Sequence, residues 1–95
     1  MSIIAYLSKN VQVLGGILMR ECYVSFASAL EVYDFVSIAT RQRFSIQVER
    51  DNLKANAKSI MGLCAMGFNR PLHVMFPESV DVEGFLTAVK AYLVA

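Results

Sequence analysis

The sequence predicts an α+β fold: an open-faced β-sandwich, with a four-stranded antiparallel sheet carrying three helices on one face. Three observations lead there. Short segments alternate apolar and polar residues, as strands with one wet face do. Between them lie segments with apolar residues at helical spacing. Their order is strand, helix, strand, strand, helix, strand, helix (βαββαβα), which leaves helices to cover one side of a sheet only. At 95 residues the chain is one domain, and a 56% hydrophobic fraction supplies a core for it.

The first 18 residues, MSIIAYLSKNVQVLGGIL, stand apart. Ser8, Lys9 and Asn10 break the apolar run, so it is too short for a membrane span. No basic stretch precedes it as in a secretion signal. Gly15-Gly16 is a break, and a cleaner pattern follows. The expected division is therefore an apolar arm over 1–18 and the domain proper over 19–95. The arm is expected to lie on the open face of the sheet, in its own chain or a second copy.

In RECYVSF, Cys22, Val24 and Phe26 share one side and Glu21, Tyr23 and Ser25 the other, which predicts the first strand. Residues 28–43 follow as an amphipathic helix, with Val32, Phe35, Val36 and Ala39 on its apolar face. Ser25 or Ser28 can cap it, Glu31 sits in its first turn, and Arg41 and Arg43 sit in its last, as the helix dipole favours. FSIQVER places Phe44, Ile46 and Val48 inward. A turn at Asp51-Asn52 leads to a short strand, LKA. The segment NAKSIMGLCAMG makes a second helix that ends at Gly67. PLHVMFP sends Leu72, Val74 and Phe76 inward and His73 and Met75 outward. Asp81 is placed to cap a last helix, with Phe85, Leu86, Val89 and Leu93 on one face.

Composition narrows the function classes. Nine Lys and Arg against eight Asp and Glu give a net charge of +1, and there is no Trp. No basic stripe marks a nucleic-acid partner. Cys22 and Cys64 are far apart, in no CxxC pattern, and each lies in an apolar run. Both are read as buried free thiols, which fits a reducing cytoplasm. One histidine and two isolated cysteines make a zinc site improbable. No metal and no cofactor is expected.

The second helix raises the functional question. Ile60, Met61, Leu63, Cys64 and Met66 cannot all face inward. An outward apolar cluster beside a capping serine points to an interface. The same stretch, with the element order and the D-x-E-G-F-L-x-A-V pattern from Asp81 to Val89, resembles HPr, the histidine-containing phosphocarrier of the bacterial sugar phosphotransferase system. The resemblance runs from about Arg20 to Leu93.

That resemblance implies a relay histidine at the start of the first helix, in a GxHxRP-type motif. Here the stretch reads FASALEV. Counted back from KSIMG without gaps, Ser28 takes the histidine's place, and Leu30 and Glu31 take those of the arginine and proline. The relay requires an imidazole nitrogen as nucleophile. Neither Leu30 nor Glu31 would hold a phosphate, and Glu31 would repel it. His73, the single histidine, is read as a solvated strand residue on the uncovered face. The resemblance further implies that Ser59 is the target of an HPr kinase and that Lys58, Ile60 and Met61 belong to a docking face. The bland alternative for Ser59 is a helix cap alone, worth about 1 kcal/mol.

The expected function is therefore an HPr-like regulatory or adaptor protein, not an enzyme, related to the phosphoenolpyruvate-dependent sugar phosphotransferase system but transferring no phosphoryl group. Expected partners are phosphotransferase components, an HPr kinase or a transcription regulator, with no nucleic acid and no membrane. Two alternatives stand beside it. One is a working phosphocarrier using a non-standard residue. The other is an oligomerising structural module that pairs through residues 1–18.

Overall fold

The computed structural model describes residues 11–14, 17–78 and 82–94. Among these residues six strands form one antiparallel sheet: β1 (Val11–Leu14), β2 (Ile17–Val24), β3 (Gln47–Arg50), β4 (Leu53–Asn56), β5 (Leu72–Pro77) and the two-residue β6 (Leu93–Val94). The order is β1-β2-β5-β3-β4, with β6 also on β2. Among the described residues three α-helices accompany it: α1 (Ala29–Thr40), α2 (Ile60–Met66) and α3 (Val82–Ala88). The α+β class and the open antiparallel sheet are as the sequence predicts. The strand count is larger, because β1 and β6 add to the four expected strands.

Each element forms for local reasons. Ser28 has extended backbone and caps α1: its Oγ accepts the Glu31 N–H at 3.4 Å. Ser59 caps α2, its Oγ accepting the Gly62 N–H at 3.0 Å. Gly67 ends α2 with φ 82°, a conformation that favours glycine, and its N–H reaches the carbonyls of Leu63 and Cys64. α1 stops at Thr40, with Arg41 as its C-cap, so Arg41 and Arg43 lie past the last turn rather than in it. α3 ends at Ala88; Leu93 then enters β6 beside Val24 instead of continuing the helix. Asp81, the expected cap of α3, lies outside the described residues.

Register decides the faces. β5 is central: Val74 faces Cys22 on one neighbour and Val48 on the other. Cys22, Val24, Val48, Leu72, Val74 and Phe76 are buried beneath the helices. Phe35 of α1 and Phe85 of α3 complete the core. Their ring centroids are 6.2 Å apart, and Phe85 lies 5.5 Å from Phe76 in an edge-on contact. Among the described residues no polar or charged residue is fully buried.

Two expectations are corrected here. Cys22 is buried, but Cys64 is exposed on α2, because Leu63 and Met66 take the inward positions of that short helix. Residues 11–14 of the arm do not lie on the open face; they are an edge strand in the plane of the sheet, paired with residues 17–20 of β2. Backbone hydrogen bonding holds residues 11–14 there, and β2 runs across the expected 18/19 boundary. Residues 1–10 lie outside the described residues.

Candidate functional site

α1 and α2 pack side by side on the same face of the sheet. The buried stripe of α1 is Val32, Phe35, Val36, Ile38 and Ala39. Leu30, at 77% exposure, and Tyr33 fall off that stripe and face outward. On α2, Leu63 and Met66 point inward while Ile60, at 44%, and Met61, at 84%, remain in water. The outer surface of the two helices thus carries Leu30, Tyr33, Ile60, Met61 and Cys64.

The sequence-predicted residues come together only in part. Ile60 and Met61 are on this surface as expected. Ser59 sits at its margin, part-exposed, with its hydroxyl engaged in the cap. Lys58 is not a free docking group: its Nζ donates to the Gln42 carbonyl at 2.8 Å and ties the start of α2 to the chain just past α1. Ser28 lies at the N-terminus of α1. The sequence reading assigns none of Leu30, Tyr33 and Cys64 to the docking face. The signal for the first two was present, since positions 30 and 33 leave the 32–35–36–39 stripe.

The start of α1 is the chemically telling place. Helix N-termini offer unpaired N–H groups to anions. Here the Glu31 carboxylate turns back and accepts the Ala27 N–H at 2.8 Å. Ser28 caps Glu31 while Glu31 satisfies the residue before the cap, a reciprocal arrangement close to a capping box. The chain's own carboxylate therefore lies at the N-terminus of α1, beside the cap, where its charge opposes a second anion. Further along α1, Asp34 accepts the Tyr92 hydroxyl at 2.5 Å, which pushes the Tyr92 phenol up to about 12. No cation lies on α1 before Arg41.

His73 is on the helix-free face as expected, but it is only partly exposed and its ring is engaged on both sides. Its Nε2 lies 2.7 Å from Glu21 Oε2, its Nδ1 lies 3.9 Å from Glu49 Oε2, and its ring stacks on Tyr23 at 4.9 Å. Register explains the cluster: Tyr23 and Glu49 are the cross-strand neighbours of His73, and Glu49 is that of Lys54. A carboxylate therefore faces each ring nitrogen, an arrangement that repels an incoming phosphoryl group. Arg70 is engaged elsewhere, 2.9 Å from Asp51. Met75 shares the face yet is only 7% exposed, between Glu21 and Gln47 in register. Among the described residues no group of three His, Cys, Asp or Glu is placed to hold a metal ion, and no helix is long and apolar enough to cross a membrane.

An open-faced antiparallel sheet with three helices among the described residues, two of them serine-capped and side by side, defines a small α+β protein of the open-faced sandwich class. No protein-family model matches the chain, and no curated protein matches it. Solved structures do. The chain is similar to the phosphocarrier protein HPr of Bacillus anthracis, with 28% identity over 84% of this chain and 100% of that one, at a TM-score of 0.63. It is similar to HPr-C-His of Thermoanaerobacter tengcongensis, with 31% identity over 76% and 88%, at a TM-score of 0.59. A histidine-containing phosphocarrier protein of Mycoplasma, 17% identical over 77% and 88%, shares the fold at a TM-score of 0.58. The chain belongs to the HPr-like family.

Proposed function

We propose that this chain is an adaptor of the phosphotransferase type: it holds protein partners on the outer surface of α1 and α2 and relays no phosphoryl group. The observation that carries the reading is the Glu31 carboxylate on the Ala27 N–H at the start of α1. A relay needs an imidazole nucleophile and a vacant anion site beside it. The start of α1 has a serine whose hydroxyl serves as a cap, and an anion already in place. The exposed Leu30, Tyr33, Ile60 and Met61 support the docking half of the reading. Partners of this kind are a phosphotransferase component, an HPr kinase acting on Ser59, or a transcription regulator, met in the cytoplasm. The chain itself performs no catalysis.

Incubation with phosphoenolpyruvate and enzyme I tests the first half. The expected result is no acid-labile phosphate on the intact protein by mass spectrometry. Base-stable, acid-labile phosphate on His73 overturns the reading. Capture of enzyme I, an HPr kinase or a regulator on the immobilised chain tests the second half. Met61→Glu is expected to reduce capture at least tenfold at unchanged melting temperature; equal capture by the variant removes the docking surface from consideration.

A further inference from the structure

We propose that β1 is a self-pairing edge through which two copies join their sheets, antiparallel and about a two-fold axis. The two edges of the sheet differ. β4, at one end, bears Lys54, whose side chain is 68% exposed. An exposed edge lysine is a usual guard against strand addition. β1, at the other end, reads Val-Gln-Val-Leu, with no charge, proline or glycine. Among the described residues nothing pairs with its outer side.

Backbone direction fixes which groups are free. The Leu18 carbonyl accepts the Glu78 N–H at 3.0 Å, so the Leu18 backbone points toward the β5 side, away from β1. Leu18 is the register partner of Val13. In an antiparallel ladder, pairs alternate between those that exchange two bonds and those whose groups point apart. Val13–Leu18 is of the second kind, and so, two residues on, is Val11–Arg20. The N–H and C=O groups of Val11 and Val13 therefore all point outward, four groups in a row.

A second β1 is the strand that these groups fit. With Gln12 opposite its copy, Val11 of each chain meets Val13 of the other, and all four outward groups on each strand are paired at once. The same register places residues of like parity together, so the helices of both copies lie on one side of the fused sheet. The contact is isologous, as a two-fold dimer requires. It is also short: four residues of edge lie below the size of a permanent interface, so the association is concentration-dependent.

Sedimentation velocity of the full chain from about 10 μM to about 1 mM, a range suited to weak association, tests the proposal. The expected result is a mass rising from 10.6 kDa toward twice that value, with slowed exchange of the Val11 and Val13 amides at high concentration. Gln12→Lys sets two like charges opposite each other at the closely spaced pair, and Gln12→Glu does the same with the other sign. Each variant alone is expected to remain monomeric, while an equimolar mixture dimerises again. A wild-type chain that is monomeric throughout overturns the proposal. So does dimerisation undiminished in both variants, which assigns association to another surface, or a mixture that stays monomeric.

Discussion

Ser59→Ala isolates what the α2 cap is worth. The Ser59 hydroxyl accepts the Gly62 N–H at 3.0 Å, and alanine leaves that donor to water. Two backbone bonds of the same residue survive the change: Ser59 N–H to Asn56 O, and Leu63 N–H to Ser59 O. The loss is thus the cap alone, about 1 kcal/mol. For a chain of this length that lowers the melting temperature by about 4–8 °C. Ser59→Asp keeps an acceptor of equal capping rank and adds a negative charge at the positive end of the helix, worth about 0.3–1 kcal/mol. The aspartate variant should therefore melt at or above the parent, by about 1–8 °C at low salt. Thermal melts of the three proteins by circular dichroism, at low and at high salt, give the comparison, and salt should remove the small advantage of the charge but not the cap. If alanine and aspartate destabilise equally, or alanine not at all, the hydroxyl is not the cap of α2 and the reasoning is wrong.

Phe35→Ala removes a fully buried ring packed against Phe26 and Phe85, and should cost about 3–5 kcal/mol, read as a fall in urea midpoint at constant slope. Alkaline stability follows from two groups. Burial pushes the Cys22 thiol up to about 12 from 9.0, and the bond to Asp34 pushes the Tyr92 phenol up to about 12 from 10.0. In both cases the unfolded chain loses its proton first, so urea midpoints should fall as pH rises from 9 toward 12, and Cys22→Ala should flatten that fall. A thiol reagent at pH 8 should label only Cys64 in the native protein and both cysteines in urea; rapid native labelling of Cys22 contradicts the burial described. Deleting residues 1–16 keeps β2 whole, including the Leu18 carbonyl that Glu78 uses, and should leave a domain that unfolds in one cooperative transition; a molten or insoluble product shows that the arm belongs to the folding unit.

Most of the fold was legible because it rests on periodicity and caps. Alternation in RECYVSF and PLHVMFP gave the central strands, and Ser28, Ser59 and Gly67 gave helix ends that the structure bears out. Elements set by tertiary pairing were not legible. β6 is two residues long and exists because Val24 and Tyr23 offer an edge, which no local pattern announces. β1 reads as an apolar run, and nothing in its composition distinguishes an edge strand from a segment lying on a face. At the site, the outward position of Met61 could be inferred by counting apolar residues on a short helix. The capture of Lys58 by the Gln42 carbonyl and the return of Glu31 to Ala27 could not, since both depend on where a long side chain finds a partner in space. His73 is the same case: only the register brings Glu21, Tyr23 and Glu49 around it.

α2 is seven residues long, too short to persist as an isolated helix in water. It is fastened at both ends. Lys58 and the Ser59 cap hold its start, while Arg50 of β3 donates to the carbonyls of Met66 and Gly67 and to the Asn69 side chain at its finish. The consequence is one of rigidity rather than composition. Ile60 and Met61 are carried on backbone already ordered during folding, so a partner that settles on them immobilises side chains alone. Binding to such a platform loses little entropy to chain ordering. Loosening either fastening, at Lys58 or at Arg50, should then weaken a partner's hold from a distance, by restoring motion to a surface whose own atoms are unchanged.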